Sequence, residues 1–137
     1  MSLVRRIEDG AAEPTAGETS AAHDEFDRAV LEQAYRDLAD NASIARWIAL
    51  LDDQIVGGTS MGICDGIAQL SGAATRPSAR RRGVQRALLA ARLMAAYESG
   101  CDLATVATQP GSKSQQNVQR AGFTPLYARA IWLRELA

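Results

Sequence analysis

A cluster of arginines at the start of a predicted helix is the feature that most constrains how this chain folds. Residues 80–82 are all arginine, and Arg86 follows in the first turn of a helix that the apolar spacing predicts from Val84. A helix N-terminus carries partial positive charge, so each cation there costs about 0.3–1 kcal/mol. A bound polyanion would offset this cost, because helix-start amides and the flexible backbone at Gly83 can approach phosphate closely. The segment therefore predicts a diphosphate site.

The elements on both sides of the cluster define its layout. Residues 66–75 have the pattern of a strand, and the helix that follows is predicted to have its C-cap at Gly100. The turn between them lacks the Gly-Lys-Ser/Thr ending of a P-loop. It also has one glycine, Gly83, where a dinucleotide fingerprint needs three. A solvated basic helix start remains the simpler alternative to a phosphate site.

Three blocks of sequence carry a resemblance to a known family. Residues 80–85, Arg-Arg-Arg-Gly-Val-Gln, resemble the coenzyme A pyrophosphate loop Gln/Arg-x-x-Gly-x-Gly/Ala of the GNAT superfamily of acyl-CoA-dependent N-acyltransferases, except that Gln85 replaces a small residue. Residues 100–108 resemble the next strand of that family, and residues 114–123 its short helix ending in Gly-Phe. The resemblance covers about residues 47–133.

Hydrophobic periodicity and turn residues predict an α/β fold. Strands alternate with helices in an order that gives a mixed, mostly antiparallel central sheet flanked by helices, as the GNAT resemblance also implies. We expect one domain over residues 1–137, in which residues 1–46 form a short N-terminal strand and helix region. The predicted strands are 3–7, 46–51, 54–57, 58–64, 66–75, 103–108 (buried) and 126–136; the predicted helices are 25–38, 84 to about 99 and 112 or 114 to 122; residues 10–20 are predicted to be a mobile loop.

The C-terminal part departs from the family pattern. One strand is predicted after Gly122, where the family usually has two, and this would leave an exposed sheet edge. A partner subunit that covers the edge would make the protein a homodimer. Alternatively, the chain corresponds to part of a larger acyltransferase.

The resemblance implies an N-acetyltransferase that moves an acetyl group from acetyl-CoA directly to a primary amine of a small molecule or peptide. The family's usual tyrosine acid is replaced here by Val118. Tyr127, which closely follows Gly122-Phe123, is the candidate acid, and a core or edge-strand aromatic is the alternative role for this residue. A catalytically silent coenzyme A-binding or sensing module is the alternative function. The residues expected to hold the pantetheine are Ala74, Thr75 and Arg76; those expected to hold the diphosphate are Arg80, Arg81, Arg82, Gly83, Val84, Gln85 and Arg86.

Composition excludes several other classes. The net charge is −1, so no general attraction to nucleic acid or to a membrane surface is expected. A single histidine and two separated cysteines, Cys64 and Cys101, do not form a metal-binding pattern, and we expect no metal cofactor. The cysteines are predicted to be reduced, in a cytoplasmic protein without a signal peptide or a transmembrane segment.

Overall fold

The computed structural model describes residues 3–7, 41 and 43–136. The predicted loop at 10–20 and the predicted helix at 25–38 lie outside the described residues. The chain divides into two compact units, Met1–Val106 and Ala107–Ala137. The predicted diphosphate site belongs to the first unit.

The first unit contains a five-stranded sheet with the strand order β1-β2-β3-β4-β5. Neighbouring strands are antiparallel except for β4 and β5, which are parallel. This confirms the predicted mixed, mostly antiparallel sheet. The predicted strands at 54–57 and 58–64 form one continuous strand. The bounds are β1 Leu3–Ile7, β2 Ile44–Leu51, β3 Gln54–Cys64, β4 Ile67–Thr75 and β5 Leu103–Val106.

Tight turns with positive φ join β2 to β3 and β3 to β4. Asp65 and Gly66 have φ values of 49° and 75°, as expected for the type I′ turn that this dipeptide predicts. The β2–β3 turn also has two positive φ values, 49° at Asp52 and 59° at Asp53. These turns set the register in which the strands bury one face.

Helix α1, Val84–Glu98, packs on the sheet and closes the core. Its buried face includes Val84, Leu88 and Leu89, and the strands that it contacts bury residues such as Met61 and Leu70. The helix ends at Ser99, the C-cap, so Gly100 with φ 77° is the next residue and not the cap itself. A glycine in the left-handed region at this place commonly terminates a helix.

Gly57 in β3 marks the closest approach of the sheet to α1. A Cβ atom at this position would lie 2.8 Å from Val84 Cγ1 and 2.9 Å from the carbonyl oxygen of Ala74. Only a residue without a side chain lets the end of β4 and the first turn of α1 come so near to β3. This contact fixes the framework of the predicted site.

The strand at 103–108 differs from the prediction. It ends at Val106, and its residues alternate between exposed and half-buried, so it is not a buried strand. The expectation failed because a run of small apolar residues does not distinguish a central strand from an edge strand. As the last strand in the sheet order, β5 has a neighbour on one side.

The second unit contains helix α2, Lys113–Arg120. Ser112 caps it by accepting a hydrogen bond from the backbone N–H of Gln115 (3.1 Å), and Gly122 follows the helix with φ 92°, as predicted. The predicted strand at 126–136 was wrong, since residues 123–136 have no regular secondary structure. A segment with a strand-like sequence forms a β-strand only when another strand is available to pair with it.

Candidate functional site

The sheet opens along one edge of β4. Residues 67–70 of β4 pair with residues 103–106 of β5, but only β3 among the described strands pairs with the remainder of β4. The N–H of Arg76 donates to the carbonyl of Val56 (2.8 Å), toward β3. Because hydrogen-bonding groups alternate along an antiparallel strand, Thr75 turns its own N–H and carbonyl toward the open edge. An extended amide-containing ligand can pair with the strand there.

A β-bulge shapes β4 just before this edge. Ser60 of β3 lies opposite Ser71, and Gly58 lies opposite Ala74, so Gly72 and Ala73 share one partner position. Gly72 adopts the left-handed region with φ 51°, which a bulge of this kind requires. The bulge turns the carbonyl of Ser71 out of the regular ladder, where it is free to accept side-chain donors.

Three side chains converge on the Ser71 carbonyl. The hydroxyl groups of Thr59 and Ser60 donate to it at 3.3 and 3.1 Å, and Nη1 of Arg92 lies at 3.5 Å. The Ser60 and Ser71 hydroxyls also lie 3.0 Å apart. The bulge is therefore held by a network of polar contacts, and Ser71 has a structural partner for its hydroxyl.

Arg92 is a buried cation that the sequence analysis did not identify. Its side chain is 4% exposed and donates to the carbonyls of Ser60 (3.3 Å) and Leu88 (3.4 Å). Burial lowers the pKa of Arg92 well below its ordinary value, to about 10. Its spacing could have indicated burial, because Arg92 lies four residues after Leu88 and therefore on the apolar face of α1. Its contacts connect α1 to the bulge.

The predicted diphosphate loop runs from the end of β4 into α1. A short 3₁₀ turn, Pro77–Ala79, follows β4, and Arg81 and Gly83 then take positive φ values of 61° and 79°. The first helical hydrogen bond runs from the N–H of Ala87 to the carbonyl of Gly83 (2.9 Å). The backbone N–H groups of residues 84–86 lie before the donor of this bond, so they have no acceptor within the helix. No side chain caps the helix start, and no acidic residue lies in the first turn.

Gln85 connects the two ends of the loop. Its amide nitrogen donates to the hydroxyl of Thr75 at 2.5 Å. The residue that departs from the family pattern thus holds the end of β4 to the first turn of α1. A glycine or alanine at the same place could not make this bond.

The loop surrounds the helix start with exposed positive charge. Arg80, Arg81, Arg82 and Arg86 are all exposed, and none of them forms an ion pair with another described residue. Val84 is buried, so it can offer an anion only its backbone. The open amides and the arginine side chains together form a cationic surface suited to a diphosphate.

Tyr127 lies in the second unit, in the stretch without regular structure, and its side chain is 78% exposed. Its proposed catalytic role stays a prediction. Among the described residues no group of three or more His, Cys, Asp or Glu side chains could hold a metal ion. None of the helices in the described part of the chain is long and apolar enough to cross a membrane.

Comparison with known proteins agrees with this geometry. The model of the acetyltransferase (GNAT) family matches residues 8–123. The curated protein sequences contain no match. Solved structures share this fold at less than 25% sequence identity.

Three of these structures are informative. A transcriptional regulator from Bacillus halodurans C-125 is 16% identical with a TM-score of 0.75, and the match covers 98% of this chain and 100% of that one. Aminoglycoside N-acetyltransferase AAC(6')-Iy in complex with CoA is 23% identical with a TM-score of 0.63, covering 98% and 100%. An aminoglycoside acetyltransferase from an uncultured soil metagenomic sample, in complex with sisomicin, is 14% identical with a TM-score of 0.61, covering 99% and 96%.

An open mixed sheet, a bulged strand with a free edge and a cationic loop at a helix start define an acyl-CoA-dependent N-acyltransferase. The family match extends over most of the chain, and the chain belongs to the GNAT family of acetyltransferases. The resemblance in the sequence is therefore confirmed at the level of family, fold and enzyme class.

Proposed function

We propose that the protein transfers an acetyl group from acetyl-CoA directly to the primary amine of a small molecule. The observation that carries this proposal is the loop at residues 80–86, where unsatisfied helix-start amides lie among four exposed arginines with no acidic residue in the first turn. Such a surface favours a ligand with several negative charges close together. The diphosphate of coenzyme A has this chemistry.

The proposed cofactor contacts divide between two elements. The pantetheine arm lies along the open edge of β4 at Ala74, Thr75 and Arg76, where the outward-facing backbone groups of Thr75 present both a donor and an acceptor. The diphosphate contacts the loop that follows. There Arg80, Arg81, Arg82 and Arg86 contribute charge, while Gly83, Val84 and Gln85 contribute backbone amides.

The proposed chemistry is direct transfer. The amine attacks the thioester carbonyl, the carbon–sulfur bond breaks, the amine loses a proton and the thiolate gains one. The protein contributes mainly by holding the two reactants in line. This positioning removes the entropic cost of bringing them together, which is a large part of the activation barrier in such reactions. We propose Tyr127 as the acid that protonates the thiolate. No side chain forms a covalent bond to the acetyl group.

A small-molecule acceptor and a cytoplasmic location complete the proposal. The named aminoglycoside acetyltransferases support an amine of this kind, because their overall fold is shared over nearly the whole chain. The free cysteines Cys64 and Cys101 are consistent with a reducing compartment. We also propose the homodimer that the sequence predicts.

Thiol release from acetyl-CoA, measured against a panel of amines that includes aminoglycosides, amino acids and peptides, tests the proposal. We expect steady release with at least one small amine and none without an acceptor. Tight binding of acetyl-CoA without turnover on any amine would instead support the silent coenzyme A-binding module. Absence of binding by the folded protein would contradict both functions.

A further inference from the structure

Gln85 contributes to both halves of the proposed cofactor site. Its backbone N–H lies at the open start of α1, where the first helical hydrogen bond is donated by Ala87. Its side-chain amide donates to the hydroxyl of Thr75 at 2.5 Å. Thr75 is the last residue of β4, and its backbone groups face the open edge. A single residue therefore reaches both the strand edge and the helix start.

The loop between these two residues is mostly exposed. Two backbone hydrogen bonds of 2.9 and 3.3 Å close the 3₁₀ turn at Pro77–Ala79, and neither of them reaches α1. Residues 80–83, which follow the turn, are all exposed. An exposed loop of this kind has a low local stability, so its ends are free to shift unless other contacts hold them.

The ends of the loop are held by contacts of two kinds. The close packing at Gly57 sets how near the end of β4 and the first turn of α1 can come. Packing of apolar atoms has no direction, whereas a hydrogen bond weakens steeply when its angle departs from linear. The bond between Gln85 and Thr75 therefore fixes how the strand end is aligned with the helix start. Both side chains are half-buried, so water competes weakly for this bond.

Coenzyme A requires that the two halves of the site be aligned. Its diphosphate and the amides of its pantetheine arm belong to one molecule, so both groups must be placed together. Affinity for such a ligand falls in proportion to the fraction of protein molecules in the competent alignment. A ligand that carries one of the two groups does not depend on this fraction.

We propose that Gln85 is a positioning residue, whose side chain holds Thr75 in the alignment that coenzyme A needs to occupy both halves at once. This inference rests on the proposed function, because it concerns the same site and the same ligand. The glycine or alanine of the family pattern has no side-chain donor, so a chain that follows the pattern cannot form this contact.

Matched substitutions remove the bond from either side. Gln85→Met keeps the length of the side chain without the donor, and Thr75→Val keeps the shape of threonine without the hydroxyl. Each should raise the Kd of coenzyme A by about three- to tenfold, which corresponds to the usual net contribution of one hydrogen bond. The double variant should bind coenzyme A no more weakly than either single variant, because both changes remove the same contact.

Ligands that carry one half of coenzyme A distinguish positioning from a general loss of structure. ADP contains the diphosphate, and pantetheine contains the amides of the arm. Isothermal titration calorimetry, by displacement for these weaker ligands, should find that Gln85→Met changes the Kd of either fragment by less than about twofold. Gln69→Met is the matched control, because Gln69 is exposed on the same strand, and it should bind coenzyme A as the wild type does.

Gln85→Glu separates the alignment of the site from its charge. The Thr75 hydroxyl can donate to the new carboxylate, so the contact is kept with its direction reversed. A negative charge at the helix start opposes the diphosphate, so coenzyme A and ADP should both bind more weakly, by the same factor. An acidic residue in the first turn also stabilises a helix, so the Tm of this variant should not fall.

An equal loss of affinity for coenzyme A and for ADP in Gln85→Met would overturn the inference, as would additive effects in the double variant. Failure of the folded wild-type protein to bind coenzyme A would overturn the proposed function together with this inference. Binding of coenzyme A that Gln85→Met leaves intact would overturn the inference alone, so the two failures are distinguishable.

Discussion

Replacing Gly57 by alanine should loosen the framework of the coenzyme A site. The added methyl group would lie 2.8 Å from Val84 Cγ1, 2.9 Å from the Ala74 carbonyl oxygen and 3.4 Å from Leu88 Cδ1. Ordinary contact begins near 3.4 Å, so Val84 must move by about 0.6 Å, or the backbone at Ala74 by about 0.5 Å, in a close-packed region. Both residues belong to the proposed cofactor site.

The crowding around Gly57 determines how much the substitution lowers the stability of the fold. Overpacking by a single methyl group typically destabilises a protein by about 1–3 kcal/mol. Gly62→Ala is the matched control, because Gly62 lies in the same strand and its added Cβ would meet no atom within 4 Å. At such an open position the substitution should be neutral or stabilising by up to about 1 kcal/mol, through the lower entropy of the unfolded chain.

Thermal unfolding monitored by circular dichroism measures the difference directly. We expect Gly57→Ala to lower Tm by about 4–12 °C, at roughly 4 °C per kcal/mol for a domain of this size. Its affinity for coenzyme A should also fall, while Gly62→Ala should bind normally. Equal melting temperatures and equal affinities in the two variants would refute the close approach between β3, β4 and α1.

Three further predictions concern other parts of the account. Gln85→Ala and Thr75→Val should each lower the free energy of unfolding by about 0.5–1.5 kcal/mol, and the double variant should lose little more, because both remove one hydrogen bond; a double-mutant cycle in urea that shows simple additivity would contradict the bond. In Arg92→Lys, burial lowers the pKa of the lysine below that of an exposed lysine, so the unfolded chain binds more protons and stability should rise with pH. This rise should begin at a lower pH than in the wild type, whose Arg92 has a pKa of about 10; urea titrations at several pH values that find the same pH dependence in both proteins would exclude a buried site. Tyr127→Phe should reduce kcat and leave the KM for acetyl-CoA unchanged in steady-state kinetics, and an unchanged kcat would remove Tyr127 as the acid.

Local sequence chemistry predicted the loop and its flanking elements well. The helix begins at Val84 after a glycine in the left-handed region, and the Asp65-Gly66 turn has the expected positive φ values. These features depend on interactions between residues that are close together in the sequence. Examples are the conformational freedom of Gly83 and the unfavourable energy of cations at a helix start. The arginines proposed for the diphosphate are exposed as that interpretation requires.

Features that depend on contacts between distant residues were missed. The bulge at Gly72 becomes visible only when β3 is laid beside β4, and Arg92 gains its partners from two strands at once. Its position among apolar residues indicated a buried face of the helix, but not a cation that bonds to backbone carbonyls. Neither feature has a signature within a short stretch of sequence.

The segment at 126–136 failed as a strand prediction for a related reason. Its apolar pattern describes what the segment can bury, not whether a partner strand is present in the same chain.

Isothermal titration calorimetry with coenzyme A tests the central claim, which is that the loop before α1 holds the diphosphate. The variants Gly83→Val and Gly100→Val place the same side chain at the two ends of α1, where φ is 79° and 77° and an added Cβ meets no atom within 4 Å. Each should cost about 1–2 kcal/mol in backbone strain, so the two variants should melt alike. We predict micromolar binding by the wild type and by Gly100→Val, and no detectable binding by Gly83→Val. Normal binding by Gly83→Val would contradict the assignment of the loop.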